Sequence, residues 1–266
     1  MTFHYGDPRT MLLVASRKLH AKSTALLLSI EGGLPRIMTG WFVAAILASA
    51  LRIALSPIHG APDVGTLLPY LLLVITPLLS IGLALHWFRG GDALPQPTLR
   101  LAAVGRWRSV DRAEAMRHPL YGSSGFMVSL MVGMLLNVPV RSLEYLTAMP
   151  ALSGTVPHWL STLHFVMTLD VVLLSSLYTI AFVAALRRVP LFPRLLVAIW
   201  AIDLAMQLGI AAAVAGTDGL PPKVGDALQM LLDGNVKKVL ISVALWLPYL
   251  LMSKRVNVTF RHRVEA

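Results

Sequence analysis

Cysteine is absent from this sequence, which excludes disulfide bonds, thiolate zinc sites, covalent haem attachment and thiol nucleophiles. Charged residues are also few, at 14% of the chain, whereas hydrophobic residues make up 56%. The mean hydropathy of +0.69 lies outside the range of soluble globular domains. This composition indicates a membrane protein.

The motifs that usually accompany catalysis are missing too. The sequence contains no nucleotide-binding glycine loop, no HExxH, no GxSxG and no aspartate-rich stretch, and each of these would supply a specific chemistry. The net charge of +10 does not predict nucleic-acid binding, because the basic residues separate apolar runs instead of forming one soluble face. We therefore expect neither an enzyme nor a nucleic-acid-binding protein, and no cofactor or metal.

Apolar runs long enough to cross a bilayer occur six times, since about 20 helical residues cover the hydrocarbon core. The predicted spans are residues 37–55, 67–88, 120–140, 163–186, 195–215 and 236–252. The fold class predicted is therefore all-α, a polytopic bundle of about six transmembrane helices. The last span is short, and Lys237 and Lys238 are expected to extend towards the membrane surface at its start.

The basic residues predict the orientation of these spans. Most of the 23 Lys and Arg residues fall in the segment before the first span, in the second and fourth connections, and in the tail. Because cytoplasmic segments retain Lys and Arg, both termini are expected in the cytoplasm of a bacterial inner membrane. Lys254 and Arg255 directly follow the last span, where they are expected to hold its end against anionic lipid headgroups.

Four segments are predicted along the chain. Residues 1–36 form a cytoplasmic segment, with a membrane-surface helix as one interpretation, and residues 37–88 a two-span extension. Residues 89–119 form a basic connection, in which Asp111 and Glu114 have the spacing of a helix capping box. Residues 120–266 form a four-span unit with a basic tail.

The C-terminal half carries a resemblance to a known family. A basic, proline-bearing connection, "RRVPLFPRLL", leads into a span, and the chain closes with "WLPYLLMSKRVNVTF". In this order they resemble the bacterial inner-membrane family called domain of unknown function 2569, over roughly residues 120–262. The family's usual Gly-Gly-Trp opening is replaced by "YGSSGF". The resemblance implies a four-helix membrane unit and brings no activity or catalytic residue.

Ionisable residues inside the predicted spans are the candidates for function, because a charge there costs at least about 2.5 kcal/mol and needs a partner or water. They are Arg52, Asp170 and Asp203, with Gln207 one turn from Asp203. Arg52 and Asp170 fall at a similar depth at about 1.5 Å per residue. We predict an ion pair between them, either fixing helix packing or serving conduction; the alternative is that Arg52 extends to the membrane surface.

The sequence supports two hypotheses of function, which belong to different classes of protein. The first is a scaffold or accessory subunit that binds lipid and another membrane protein, or a second copy of the chain. The alternative is a small-solute or proton-coupled transporter that uses Asp170 and Asp203, which predicts a water-accessible cavity. A bis-histidine haem site at His86 and His164 is not expected, because the two residues fall at opposite ends of their spans.

Overall fold

The structure, a computed structural model, describes residues 8–57, 63–98, 100–101 and 105–266, with the backbone alone for residues 8–20. Eight α-helices run through the described residues: α1 Pro8–Ala54, α2 Val64–Trp87, α3 Arg112–Arg117, α4 Phe126–Ala148, α5 His158–Leu186, α6 Phe192–Ala215, α7 Pro222–Met252 and α8 Lys254–Arg261. Two short strands, β1 Trp107–Ser109 and β2 Arg263–Glu265, form an antiparallel pair.

Six of these helices, α1, α2 and α4–α7, are long and apolar enough to cross a membrane. The prediction of a six-span helical membrane protein is confirmed. Helix α5 lies at the centre, packed against α2, α4 and α6, while α7 packs on α6 and α1 packs on α2 and α4. A helix that is apolar around its whole circumference belongs inside a bundle, and 67% of the most apolar stretch of α5 is buried.

The antiparallel spans give the bundle two dissimilar ends. At one end, here called the loop end, lie the end of α1, the start of α2 and the connections from α4 to α5 and from α6 to α7. A hydrogen bond from Thr66 Oγ1 to the Leu152 carbonyl, 2.6 Å, joins the start of α2 to the α4–α5 connection. The opposite end, here called the basic end, holds α3, α8 and the β1–β2 pair.

Sequence and structure agree on the short helix at the basic end. Asp111 caps α3 by accepting a hydrogen bond from the backbone N–H of Glu114, at 2.6 Å, so the predicted helix is confirmed. Nearby, Asp92 accepts hydrogen bonds from Arg112 (3.1 Å) and Tyr121 (3.3 Å). Burial raises the pKa of Asp92, but Arg112, Arg188 and Tyr121 together lower it by more, so that the pKa lies below its ordinary value.

The tail is folded and mostly buried. Ser253 caps α8, and its hydroxyl accepts from the Val256 N–H. The side chain of Phe260 is fully buried against Phe192, with ring centroids 5.0 Å apart. After α8, β2 pairs with β1, so that Trp107 lies opposite Glu265. The sequence analysis predicted neither α8 nor this strand pair.

Several predicted span limits differ from the helices. Helix α1 is continuous from Pro8 and passes through Pro35, so it crosses the expected boundary after residue 36. Helix α4 begins and ends later than the predicted third span. Helix α7 has 31 residues and begins well before the predicted sixth span, which places Lys237 and Lys238 mid-helix. The predicted division into four segments is not tested by these limits.

Candidate functional site

Three ionisable side chains meet in the interior of the bundle, on three different helices. Arg141 of α4 donates from Nη1 to Asp170 Oδ2 of α5 at 2.6 Å. Its Nη2 donates to both carboxylate oxygens of Asp203 of α6, at 2.9 and 2.8 Å. One guanidinium is therefore held between two carboxylates, in the charge-assisted geometry that gives strong hydrogen bonds.

Neutral side chains complete the bonding of these carboxylates. Tyr178 donates its hydroxyl to Asp203 Oδ2 at 2.9 Å, and Gln207 Nε2 donates to Asp170 Oδ1 at 3.0 Å. Asn235 of α7 in turn donates to Gln207 Oε1 at 3.2 Å. The set Arg141, Asp170, Tyr178, Asp203, Gln207 and Asn235, here called the buried network, thus joins four membrane-spanning helices.

The network lies deep in the protein. Arg141 is 8% exposed, Asp170 4% and Asp203 0%. Asp203 is about 18 Å along α6 from the loop end, at about 1.5 Å per residue. Several kcal/mol are lost when an ion leaves water, and the charge pairing and hydrogen bonds must offset this loss. The positions of these residues are therefore strongly constrained by one another.

A cleft of about 130 Å³ adjoins the network between α4 and α7. Arg141, Tyr178 and Asn235 of the network contribute to its wall, and Trp200 and Trp246 line its apolar side. At the rim, Lys238 of α7 forms an ion pair with Glu144 of α4. Lys238 is exposed, so the cleft reaches the surface of the bundle. This α4–α7 cleft has room for several water molecules.

Two polar atoms beside the cleft are unsatisfied. Within the part of the chain that the structure describes, Arg141 Nε and Asn137 Oδ1 are buried without a hydrogen-bond partner. Both residues line the cleft, and one offers a donor while the other offers an acceptor. A buried polar atom without a partner is costly, so these two atoms favour a polar occupant.

The predicted partner of Asp170 is wrong. Arg52 lies near the end of α1 and donates from Nε to the carbonyl of Met149 at 2.8 Å, at the loop end. Asp170 instead pairs with Arg141, which lies one residue beyond the predicted third span. The other three candidates, Asp170 of α5 and Asp203 and Gln207 of α6, lie together.

Arg141 could have been found from the sequence. It lies in an apolar stretch, "LLNVPVRSLEYL", and directly follows Val140, the last residue of the predicted third span. Helix α4 continues through Pro139 to Ala148. The signal was the apolar spacing after the arginine, with Leu143, Tyr145 and Leu146 continuing the helix.

The basic pair after the last span is divided between two environments. Lys254 is exposed and forms an ion pair with Glu265 at 2.7 Å. Arg255 points into the protein, where it donates to Ser124 Oγ at 2.8 Å and to the carbonyls of Leu120 and Gly122. Contact of either residue with lipid headgroups stays a prediction.

The two histidines considered for haem are far apart in the fold. His86 is in the last turn of α2, towards the basic end, whereas His164 is near the start of α5, at the loop end. His164 Nε2 lies 3.3 Å from the hydroxyl of Tyr145. Among the described residues no group of three or more His, Asp or Glu is arranged to hold a metal ion.

Comparison with known proteins gives a family and no activity. No curated protein matches the chain, and no solved structure matches it. A family model described as "Protein of unknown function (DUF2569)" matches residues 123–261, just over half of the chain. This range contains α4–α8 and every residue of the buried network, and it agrees with the predicted extent. The chain therefore belongs to the DUF2569 family of membrane proteins.

Proposed function

We propose that this protein is a small-solute or proton-coupled transporter whose binding site is the buried network. The observation that carries the proposal is an imbalance of charge, because one guanidinium is held between the carboxylates of Asp170 and Asp203. A proton or a small cation balances the second carboxylate. Ionisable residues at membrane depth commonly belong to ion and proton pathways.

Packing alone is a weaker explanation of the network. Replacing a buried ion pair by well-fitted apolar side chains is often neutral or stabilising, so buried charge is poor evidence for a purely structural role. Helices in a membrane can associate through small residues and uncharged hydrogen bonds. An arrangement that concentrates two carboxylates on one arginine fits better with binding and release of a cation.

The α4–α7 cleft supports the same proposal because it supplies a route. Arg141 lines the cleft, and Lys238 and Glu144 form its rim. In the proposed cycle, a proton or cation reaches Asp170 or Asp203, which loosens the hold of that carboxylate on Arg141. Helix α7, which packs mainly on α6, then moves relative to α4. No catalytic reaction forms part of the proposal.

The proposal requires water in the cleft, and cysteine labelling measures this directly. Ser242 lines the cleft, whereas Leu245 on the same helix is 62% exposed on the outside of the bundle. The chain lacks cysteine, so Ser242→Cys and Leu245→Cys each introduce a single thiol. In membranes, a charged maleimide is expected to label Ser242→Cys much faster than Leu245→Cys.

Equal, slow labelling at the two positions would show a dry cleft and would contradict a transport pathway there. Labelling should be tested in sealed vesicles of both orientations, so that access from either side is detected. A denatured sample provides the control that both thiols can react.

An accessory-subunit role is the second candidate, and it rests on α1 and α7. Only 11% of the most apolar stretch of α1 and 17% of that of α7 are buried. These surfaces suit lipid, a second copy of the chain or another membrane protein. Extraction from native membranes in a mild detergent, followed by mass spectrometry, tests this role. A protein recovered in stoichiometric amount supports it, and recovery of the chain alone argues against it.

The proposal also includes location in a bacterial inner membrane with both termini in the cytoplasm. It is supported by the accumulation of Arg and Lys in the segments at the basic end. Reporter fusions after residue 266 and within residues 216–221 test the orientation. Activity of a cytoplasmic reporter only at the first position is expected.

A further inference from the structure

Three arginines from separate segments converge at the basic end of the bundle. Arg100 comes from the connection between α2 and β1, Arg194 from the first turn of α6, and Arg261 from the end of α8. They line a small cavity of about 10 Å³ together with Pro97, Pro190 and Pro193. We call Arg100, Arg194 and Arg261 the arginine pocket.

The bonds made in this pocket are to uncharged groups. Arg261, only 3% exposed, donates to Asn257 Oδ1 at 3.1 Å and to the Leu250 carbonyl at 2.8 Å. Arg100 donates to Ser109 Oγ at 3.1 Å and to the carbonyl of Arg261 at 3.4 Å. In the described part of the chain, Nη2 of Arg194 is buried with no hydrogen-bond partner.

None of the described residues that line the pocket carries a carboxylate. None of the ion pairs among the described residues involves Arg100, Arg194 or Arg261. Burial, with the neighbouring charges of Arg263 and Arg194, lowers the pKa of Arg261 to about 10. Burial and Arg263 also lower the pKa of Arg100. Three like charges around one enclosed space repel each other unless an anion lies between them.

We propose that the arginine pocket binds a phosphoryl group. The cavity is close to the smallest that can hold one water molecule, so it accommodates a single phosphoryl oxygen, and the rest of the group lies at its mouth. Guanidinium groups match the spacing of phosphate oxygens and bind them through paired hydrogen bonds. The unpartnered Nη2 of Arg194 is a donor available for the ligand.

The position of the pocket allows two sources of phosphate. Arg194 is in the first turn of a membrane-spanning helix, which is the depth at which lipid headgroups lie. The same oxygen could come from an anionic phospholipid or from free phosphate. The pocket shares no lining residue with the α4–α7 cleft and does not depend on the proposed transport function.

Thermal unfolding of the full chain in an uncharged detergent tests the proposal. The probes are inorganic phosphate, compared with chloride at equal ionic strength, and phosphatidylglycerol, compared with phosphatidylcholine in mixed micelles. At about ten times the dissociation constant, a bound phosphoryl probe should raise the unfolding temperature by roughly 3 °C. A rise with phosphatidylglycerol alone identifies lipid as the source, and a rise with inorganic phosphate identifies the free anion.

Arg194→Gln is the test variant because Arg194 is only partly buried and forms none of the bonds that hold α8. It should lose the shift, and the matched variant Arg108→Gln, at an exposed arginine paired with Glu114, should keep it. An absence of any shift in the unmodified protein overturns the proposal. So does a shift of equal size in Arg194→Gln, because general charge screening would then explain it.

Discussion

Arg141 and Arg261 are both more than nine-tenths buried, yet their surroundings are opposite. Arg141 is bonded to two carboxylates on two neighbouring helices. Arg261 is bonded to an amide oxygen and a backbone carbonyl, and its charged neighbours are other arginines. The interior of the membrane region therefore has an excess of negative charge, and the basic end has an excess of positive charge.

This difference shows that burial alone does not define the role of an arginine. A buried charge with too many counterions attracts a cation or a proton, whereas one with too few attracts an anion. The same residue type thus marks two kinds of binding site in one chain. Substitutions that alter the charge at each place test this contrast.

The largest effect is expected from Arg141→Met. This change leaves Asp170 and Asp203 buried without their counterion, and removing one partner of a buried pair typically costs about 3–5 kcal/mol. The free energy of unfolding in detergent measures the loss. Adding Asp170→Asn and Asp203→Asn to Arg141→Met should recover much of it.

Arg261→Met is the matched change at the basic end. It removes a buried charge that has no counterion and leaves two neutral acceptors unsatisfied, so we expect a smaller loss of roughly 1–2 kcal/mol. Equal losses for Arg141→Met and Arg261→Met would remove the distinction between the two arginines.

Asp203→Asn should affect transport more than stability. The amide keeps the size of the side chain and removes the extra negative charge, so one carboxylate then balances one guanidinium. We expect proton flux into proteoliposomes, followed with an enclosed pH-sensitive dye under an imposed potential, to be abolished. Asp233→Asn is the control, because Asp233 is an exposed residue of α7. Unchanged flux in Asp203→Asn would argue against the network as the pathway.

Mild acid should weaken the basic end to a smaller degree. Burial lowers the pKa of His262, and Arg100 and Arg112 lower it further against the weaker opposite effect of Asp92 and Asp111. The unfolded chain binds the proton first, so the stability due to neutral His262 is complete above about pH 6.5 and declines below it. Asp92, whose pKa is also lowered, contributes its own loss only near and below its unfolded value of about 3.9.

Thermal unfolding at pH 7.5 and pH 5.5 measures this effect. The unmodified protein should lose more stability on acidification than His262→Gln. If the two proteins lose the same stability on acidification, protonation of His262 is not linked to the excess of positive charge at the basic end.

The smallest effect is expected at the rim of the cleft. Lys238 is 55% exposed in its ion pair with Glu144, and exposed pairs contribute about 0.2–1 kcal/mol. Lys238→Gln should therefore change the free energy of unfolding far less than Arg141→Met, although both residues pair with carboxylates. A loss comparable to that of Arg141→Met would place Lys238 within the buried network.

The spans and three members of the network could be predicted because apolar length and intramembrane charge are local signals. The partner of Asp170 could not be predicted, because depth in the membrane alone does not distinguish Arg52 from Arg141. An arginine is tolerated within α4 only because Asp170 and Asp203 lie on neighbouring helices, and one sequence gives no direct sign of that proximity. The predicted third span therefore ended one residue before Arg141.

The structure of the tail was missed for a different reason. The stretch "VNVTF" is rich in β-branched residues, which disfavour helix in isolation. In α8 the burial of Val256, Val258 and Phe260 overrides that preference. The pairing of β1 with β2 joins segments that are distant in sequence, so the hydrogen bonds that define it have no local pattern.

The strand pair has a mechanical consequence. Residues 107–109 pair with residues 263–265. The four spans between them therefore form a loop that is closed by the hydrogen bonds of the strand pair. Force applied at residue 266 would separate the two strands before it acted on α7. A fragment from residue 105 onwards keeps the β1–β2 pair, whereas a fragment that begins at residue 123 loses β1 and α3 and leaves β2 without its partner.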